Sequence, residues 1–130
     1  MANWHDVINF IGSNYKYEEL TPTLLKLSFS FDDLRTQGVF LEYAKAGDGS
    51  EWVLVQSPVG KIGEVDLEKA LRFLEGKVVG GLSLVAEEYV TLKDAVPIAD
   101  LQAAELVDPI RLVIFTADAL EKQLSGSDTY

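Results

Sequence analysis

The stretch from Asp108 to Leu124 constrains this chain more than any other, because it reads as one long helix with two apolar faces. Asp108 suits the N-cap, Pro109 the first helical position, and Ser125-Gly126-Ser127 the stop. At about 100° per residue, Ile110, Val113, Ile114, Ala117, Leu120 and Leu124 fall on one side, wide enough to cover a sheet. Leu112, Phe115 and Ala119 form a second, narrower stripe on the opposite side. Such a helix needs two neighbours. The first is a sheet; the second comes from this chain, from another copy of it, or from a client.

The sheet is legible upstream. Asn3 caps a first helix whose Trp4, Val7, Ile8 and Ile11 share a face, with Gly12 as terminator, and 13–22 reads as an aromatic, acidic connector. From Leu25 the period becomes two: Leu25, Leu27, Phe29 and Phe31 alternate with Lys26, Ser28, Ser30 and Asp32. After a turn over 32–38, Val39 to Ala44 forms a second strand with Val39, Leu41 and Tyr43 on one face. Gly47-Asp48-Gly49-Ser50 turns the chain into a third strand, Trp52 to Val55, and Ser57-Pro58-Val59-Gly60 ends it. These connectors are too short for crossover helices, so the strands run antiparallel. A second helix carries Leu67, Ala70, Leu71 and Leu74 on one face, with Phe73 displaced from it and Gly76 closing it. Leu82 to Ala86 and Tyr89 to Leu92 form two further strands joined at Glu87-Glu88, Pro97 ends them, and 98–107 reads as a short helical lead-in before Asp108-Pro109 restarts the axis of the long helix.

The expected architecture is α+β: helix, three strands, helix, two strands, helix, with a five-stranded antiparallel sheet covered by helices. A single domain spans 1–124, and 125–130 has the polar composition of a tail. At 130 residues, 48% hydrophobic and 25% charged, the chain can bury a core of its own.

Eleven basic against 21 acidic side chains give a net charge of -10, which argues against phosphate-backbone contacts and hence against nucleic acid. The absence of cysteine excludes disulfides, thiolate metal sites and thiol nucleophiles. No apolar run approaches the ~20 residues of a membrane helix, and a soluble cytoplasmic protein is expected. Gly60-Lys61 lacks the other residues of a phosphate loop, with Val55 and Ile62 where Gly and Ser or Thr belong. Gly47-Asp48-Gly49 is followed by Trp52 where a dinucleotide fingerprint needs its third glycine. His5 is the only histidine and lies on a polar helix side. The acidic pairs Asp32-Asp33 and Glu87-Glu88 lack calcium-loop spacing and read as turn residues. Glu121, at the edge of the long helix's apolar face, is expected to pair or to extend outward rather than to act as a buried acid. No catalytic residue, metal or cofactor is expected.

Tyr89-Val90-Thr91-Leu92-Lys93-Asp94-Ala95-Val96-Pro97-Ile98-Ala99-Asp100-Leu101, followed by Ile110 and Ala117-Asp118-Ala119-Leu120-Glu121, resembles the C-terminal half of YbjN-like domains. The order of elements over about 3–124 resembles the fold those proteins share with type III secretion chaperones. The resemblance implies a non-enzymatic homodimer that binds a polypeptide client through apolar grooves or by adding a strand. In secretion chaperones the second helix commonly contributes to the dimer, which would give Phe73 a role. Phe73, Leu112, Phe115 and Ala119 are thus the candidate partner or dimer residues. The alternative is a small-ligand binder or enzyme with a pocket between sheet and helices, lined by Trp52, Tyr43 and Tyr89. A third arrangement packs Trp4 of the first helix against Phe115.

Overall fold

The computed structural model describes residues 3–31, 35–79 and 81–125. Asp32, Asp33 and Leu34 of the expected turn, Gly80, and 126–130 of the expected tail lie outside the described residues, as do Met1 and Ala2. In chain order the elements are α1 (Trp4–Asn14), β1 (Tyr17–Thr21), β2 (Leu24–Ser30), β3 (Thr36–Lys45), β4 (Glu51–Lys61), α2 (Leu67–Leu74), β5 (Gly81–Val85), β6 (Tyr89–Pro97) and α3 (Ala104–Ser125). All neighbouring strands are antiparallel, in the order β1-β2-β3-β4-β6-β5. The class is α+β as expected, but the sheet has six strands rather than five.

The added strand is β1, which the sequence presents as a connector because all five of its residues are exposed and no period of two is written into it. It exists through pairing, with Tyr17 opposite Leu27, Glu18 opposite Lys26 and Glu19 opposite Leu25. Strand β3 begins at Thr36, inside the expected turn, and β4 runs through Ser57-Pro58-Val59-Gly60 to Lys61. Proline survives in this central strand because the register against β6 shifts between Pro58 and Gly60, a bulge where a missing ladder donor is tolerated. Gly60 is required there, since a Cβ would lie 2.5 Å from Val65 Cγ2 on the approach to α2.

One face of the sheet is buried. Leu25 and Leu27 of β2, Val39 and Leu41 of β3, Val53 and Val55 of β4 and Leu92 of β6 form a continuous apolar layer. Val7 and Ile11 of α1, Ala70 and Leu74 of α2, and Leu106, Ile110, Val113, Ile114, Ala117 and Leu120 of α3 cover it. Helix α1 starts on a capping box between Asn3 and Asp6, and its Trp4 ring packs 6.0 Å from that of Tyr43 while its indole N–H donates to the Pro22 carbonyl. The Tyr43 phenol donates to the Glu51 carboxylate, and this hydrogen bond, then burial and the Glu51 charge, hold the phenol pKa above its ordinary value.

Helix α3 begins at Ala104, not at Asp108, so Pro109 sits inside it and Ser125 belongs to it rather than to the tail. The fully buried Leu106 lies one turn before Ile110 on the same stripe, so the early turn is drawn onto the core. The Glu105 carboxylate caps this start by accepting from the Gln102 N–H at 2.7 Å. Proline near a helix start forfeits one bond only, the one to the Glu105 carbonyl.

The β5–β6 hairpin closes through Ala86 (φ 54°) and Glu87 (φ 60°), two consecutive left-handed residues that are not glycine, with the Glu88 N–H donating to the Val85 carbonyl at 3.1 Å. These φ angles are those of a type I′ turn, which favours Asn-Gly. Replacing Ala86-Glu87 by Asn-Gly is expected to raise unfolding stability by about 1 kcal/mol, read as a higher urea midpoint at unchanged slope. A lower midpoint would contradict the strain assigned to this turn.

Candidate functional site

The residues expected to meet a partner do not form one surface. Phe73 is half-buried against the core, with the Lys77 ammonium 4.7 Å from its ring centroid. Leu112 packs against the same core, and Ala119 is half-buried. Phe115 alone of the four is open, 56% exposed, and the ring it meets is that of Phe31 at 5.8 Å rather than that of Trp4. Helix α2 is rolled differently from the expected wheel. Ala70 and Leu74 point inward, while Leu67 and Leu71 form an outward shoulder, with Leu71 61% exposed. Val78, just beyond α2, is 85% exposed. The helical layer thus carries exposed apolar side chains on both α2 and α3, which pack against each other.

A polar cluster lies between α3 and β3. Asp118 forms an ion pair with Arg35, both largely buried. Glu121, three residues on, is only 1% exposed, so it neither extends into solvent nor stands at the margin as its sequence position suggests. Gln37, two residues beyond Arg35 and on the same side of β3, donates to Ser57 Oγ at 2.7 Å and to the Pro58 carbonyl at 3.1 Å. Ser57 in turn donates to the Gly38 carbonyl. These side-chain bonds continue the β3–β4 junction past Phe40–Gln56, where the register ends. The cluster therefore fixes α3 to the sheet and the sheet across its bulge. The charges are held inside the helix-covered layer.

Among the described residues no helix lies on the other face of the sheet. Alternate residues point there, and the registers place them in rows across the strands. One row holds Lys26, Phe40, Gln56 and Lys93. The next holds Ser28 opposite Gly38 and Thr91 between Pro58 and Ser83. Beyond it stands Tyr89, opposite Val85. The small residues make a trough between the two aromatic rows, and a groove of 840 Å³ opens over it, with Leu24, Phe40, Val85 and Tyr89 among its walls. Its floor is deep, since Thr91 is 3% and Gln56 8% exposed although no helix covers them.

The structure does not bring the three residues named for the alternative, a pocket between sheet and helices, into one cavity. Tyr43 lies on the helix side with Trp4, Trp52 lies on the open face outside the groove, and Tyr89 alone of the three lines it. Sequence reasoning missed Gly38, Gln56, Pro58 and Thr91; the available signal was the period of two, which continues from Val39 back through Gly38 to Thr36. Among the described residues no group of three His, Cys, Asp or Glu side chains gathers to hold a metal ion, and no helix is long and apolar enough to cross a membrane. No family model and no curated protein matches the chain.

The ion pair supplies a direct test of the polar cluster. Asp118→Ala leaves the Arg35 guanidinium buried and is expected to cost about 3–5 kcal/mol in urea unfolding, whereas joint replacement of Arg35 by Met and Asp118 by Leu costs less than the single change. A double replacement costing as much as the sum of the singles would show that the two groups do not depend on each other.

Proposed function

We propose that this chain is a non-enzymatic, chaperone-like protein-binding module, a homodimer that holds a polypeptide partner through apolar surface on its helical layer. The observation that carries this reading is the outward shoulder of α2, where Leu67 and Leu71 stand one turn apart and exposed instead of sharing the buried side with Ala70 and Leu74. An apolar pair that the core has no use for favours a protein surface. Helix α2 brings its own flanking charges, with Glu68 and Arg72 paired at 3.4 Å, so a twofold contact between two copies of α2 meets both signs of charge around an apolar centre. Phe115, exposed on the neighbouring helix, widens the same layer for a client.

The resemblance to YbjN-like proteins and secretion chaperones supports this reading, and the observed order of elements differs from the expected one only by the edge strand β1. The net charge of -10 keeps a chain with exposed leucines in solution and attracts partners with basic segments. A small-ligand reading is favoured by a separate observation, the groove on the open face.

The dimer is tested by mass in solution. Sedimentation velocity at micromolar concentration is expected to give twice the chain mass for the native sequence and the single-chain mass for Leu71→Asp, with unchanged circular dichroism. A native chain that sediments as a monomer over the same range contradicts the proposal.

A further inference from the structure

We propose that the groove on the helix-free face of the sheet binds a small amphipathic anion, an aromatic or short aliphatic carboxylate or sulfonate, with its apolar body over Gly38 and its charged end between Lys26 and Gln56. The first argument is the glycine. A Cβ at Gly38 would meet nothing closer than Lys26 Cε at 3.8 Å, and the residue is not in the left-handed region, so neither packing nor backbone requires glycine there. Glycine inside a strand weakens it and marks places where something else approaches the backbone closely. Here the space it leaves is the groove itself.

The second argument is the under-used polarity of the floor. Gln56 is 8% exposed; its carboxamide nitrogen makes only a 3.4 Å contact with Glu42, and its carbonyl oxygen has no partner among the described residues. The Thr91 hydroxyl, on a residue 3% exposed, spends itself on the Tyr89 carbonyl at 3.4 Å, near the outer limit of a hydrogen bond. Both groups have donors to give to a ligand oxygen.

The third argument is charge. Lys26 is half-buried, and in a chain with 21 acidic against 11 basic side chains no carboxylate lies within ion-pair distance of it among the described residues. Its ammonium stands instead 5.8 Å from the Phe40 ring centroid. Lys93, half-buried in the same row on the far side of Gln56, adds a second positive charge. Glu18 across from Lys26 and Glu42 at the end of the groove oppose them. The net charge of the more distant acids is screened over about 10 Å at ordinary salt; Glu18 and Glu42 lie inside that length, and direct contact with Lys26, with Lys93 beside it, is what offsets them. A volume of 840 Å³ is that of a site for one small molecule.

The test uses the full chain and two fluorescent probes of similar shape, the anionic 8-anilinonaphthalene-1-sulfonate and the neutral N-phenyl-1-naphthylamine. The expected result is one saturable site per chain for both. Gly38→Leu, which fills the trough, abolishes both. Lys26→Gln, a change on the open face that leaves the core untouched, weakens the anionic probe about five- to tenfold and leaves the neutral one unchanged. Leu71→Asp, which tests the helical surface, leaves both intact, so failure of the dimer and failure of this site are read separately. Absence of a saturable site overturns the proposal, as does loss of binding in Leu71→Asp alone or equal affinity of the anionic probe for the native chain and Lys26→Gln. A melting curve on each variant confirms folding; should Gly38→Leu not fold, the Lys26→Gln comparison decides alone.

Discussion

One helix laid across the middle of one sheet face is the contact on which the rest of the structure depends. The stripe of α3 from Leu106 to Leu120 is buried over β3, β4 and β6, and each fully buried Leu, Ile or Val side chain contributes about 1.5–3 kcal/mol. The same helix carries Asp118 and Glu121 into the interior, so its position is set by charge as well as by apolar fit. Close packing already fixes the helix, and the Asp118–Arg35 pair adds a second constraint, since breaking it would leave a buried charge. With α3 placed, α2 packs against it, α1 covers the β2 end of the sheet through Val7 and Ile11, and among the described residues no helix remains for the other face.

Much of this was legible in the sequence because buried faces write periods. The wide stripe of α3 and the alternation from Leu25 to Phe29 both correspond to buried surface, and the residues they name line the core. Where burial does not decide, the pattern is silent or misleading. All of β1 is exposed, so only pairing makes it a strand. Pro58 reads as a terminator because nothing local reveals the bulge that accommodates it. Gly38 reads as part of a turn because glycine more often ends strands than floors a groove, and the groove vanished from view with it. The wheel of α2 gives an apolar arc but not which part of that arc the core takes. Phe73 and the small Ala70 go inward, and Leu71 is left outside.

The two faces of the sheet therefore differ in kind. The covered face is apolar and sealed, with its few polar groups tied into a cluster that braces β3, β4 and α3. The open face carries small side chains in one row and lysines and aromatics in the rows beside it. The exposed Leu67 and Leu71 stand on the outside of the helical layer, while the exposed Leu20 and Leu84 belong to the edge strands β1 and β5. A partner on the helices and a small molecule on the sheet would thus occupy opposite sides of one domain, joined through β3 and β4, whose residues face both ways.

The claim that the helical layer is the partner surface is tested most directly by amide hydrogen exchange followed as a function of protein concentration. The account predicts that amides over 67–78 exchange more slowly as concentration rises through the association range, while those of β1 and of the groove floor are unchanged. Exchange over 67–78 that is independent of concentration, or slowing confined to β1, would contradict it.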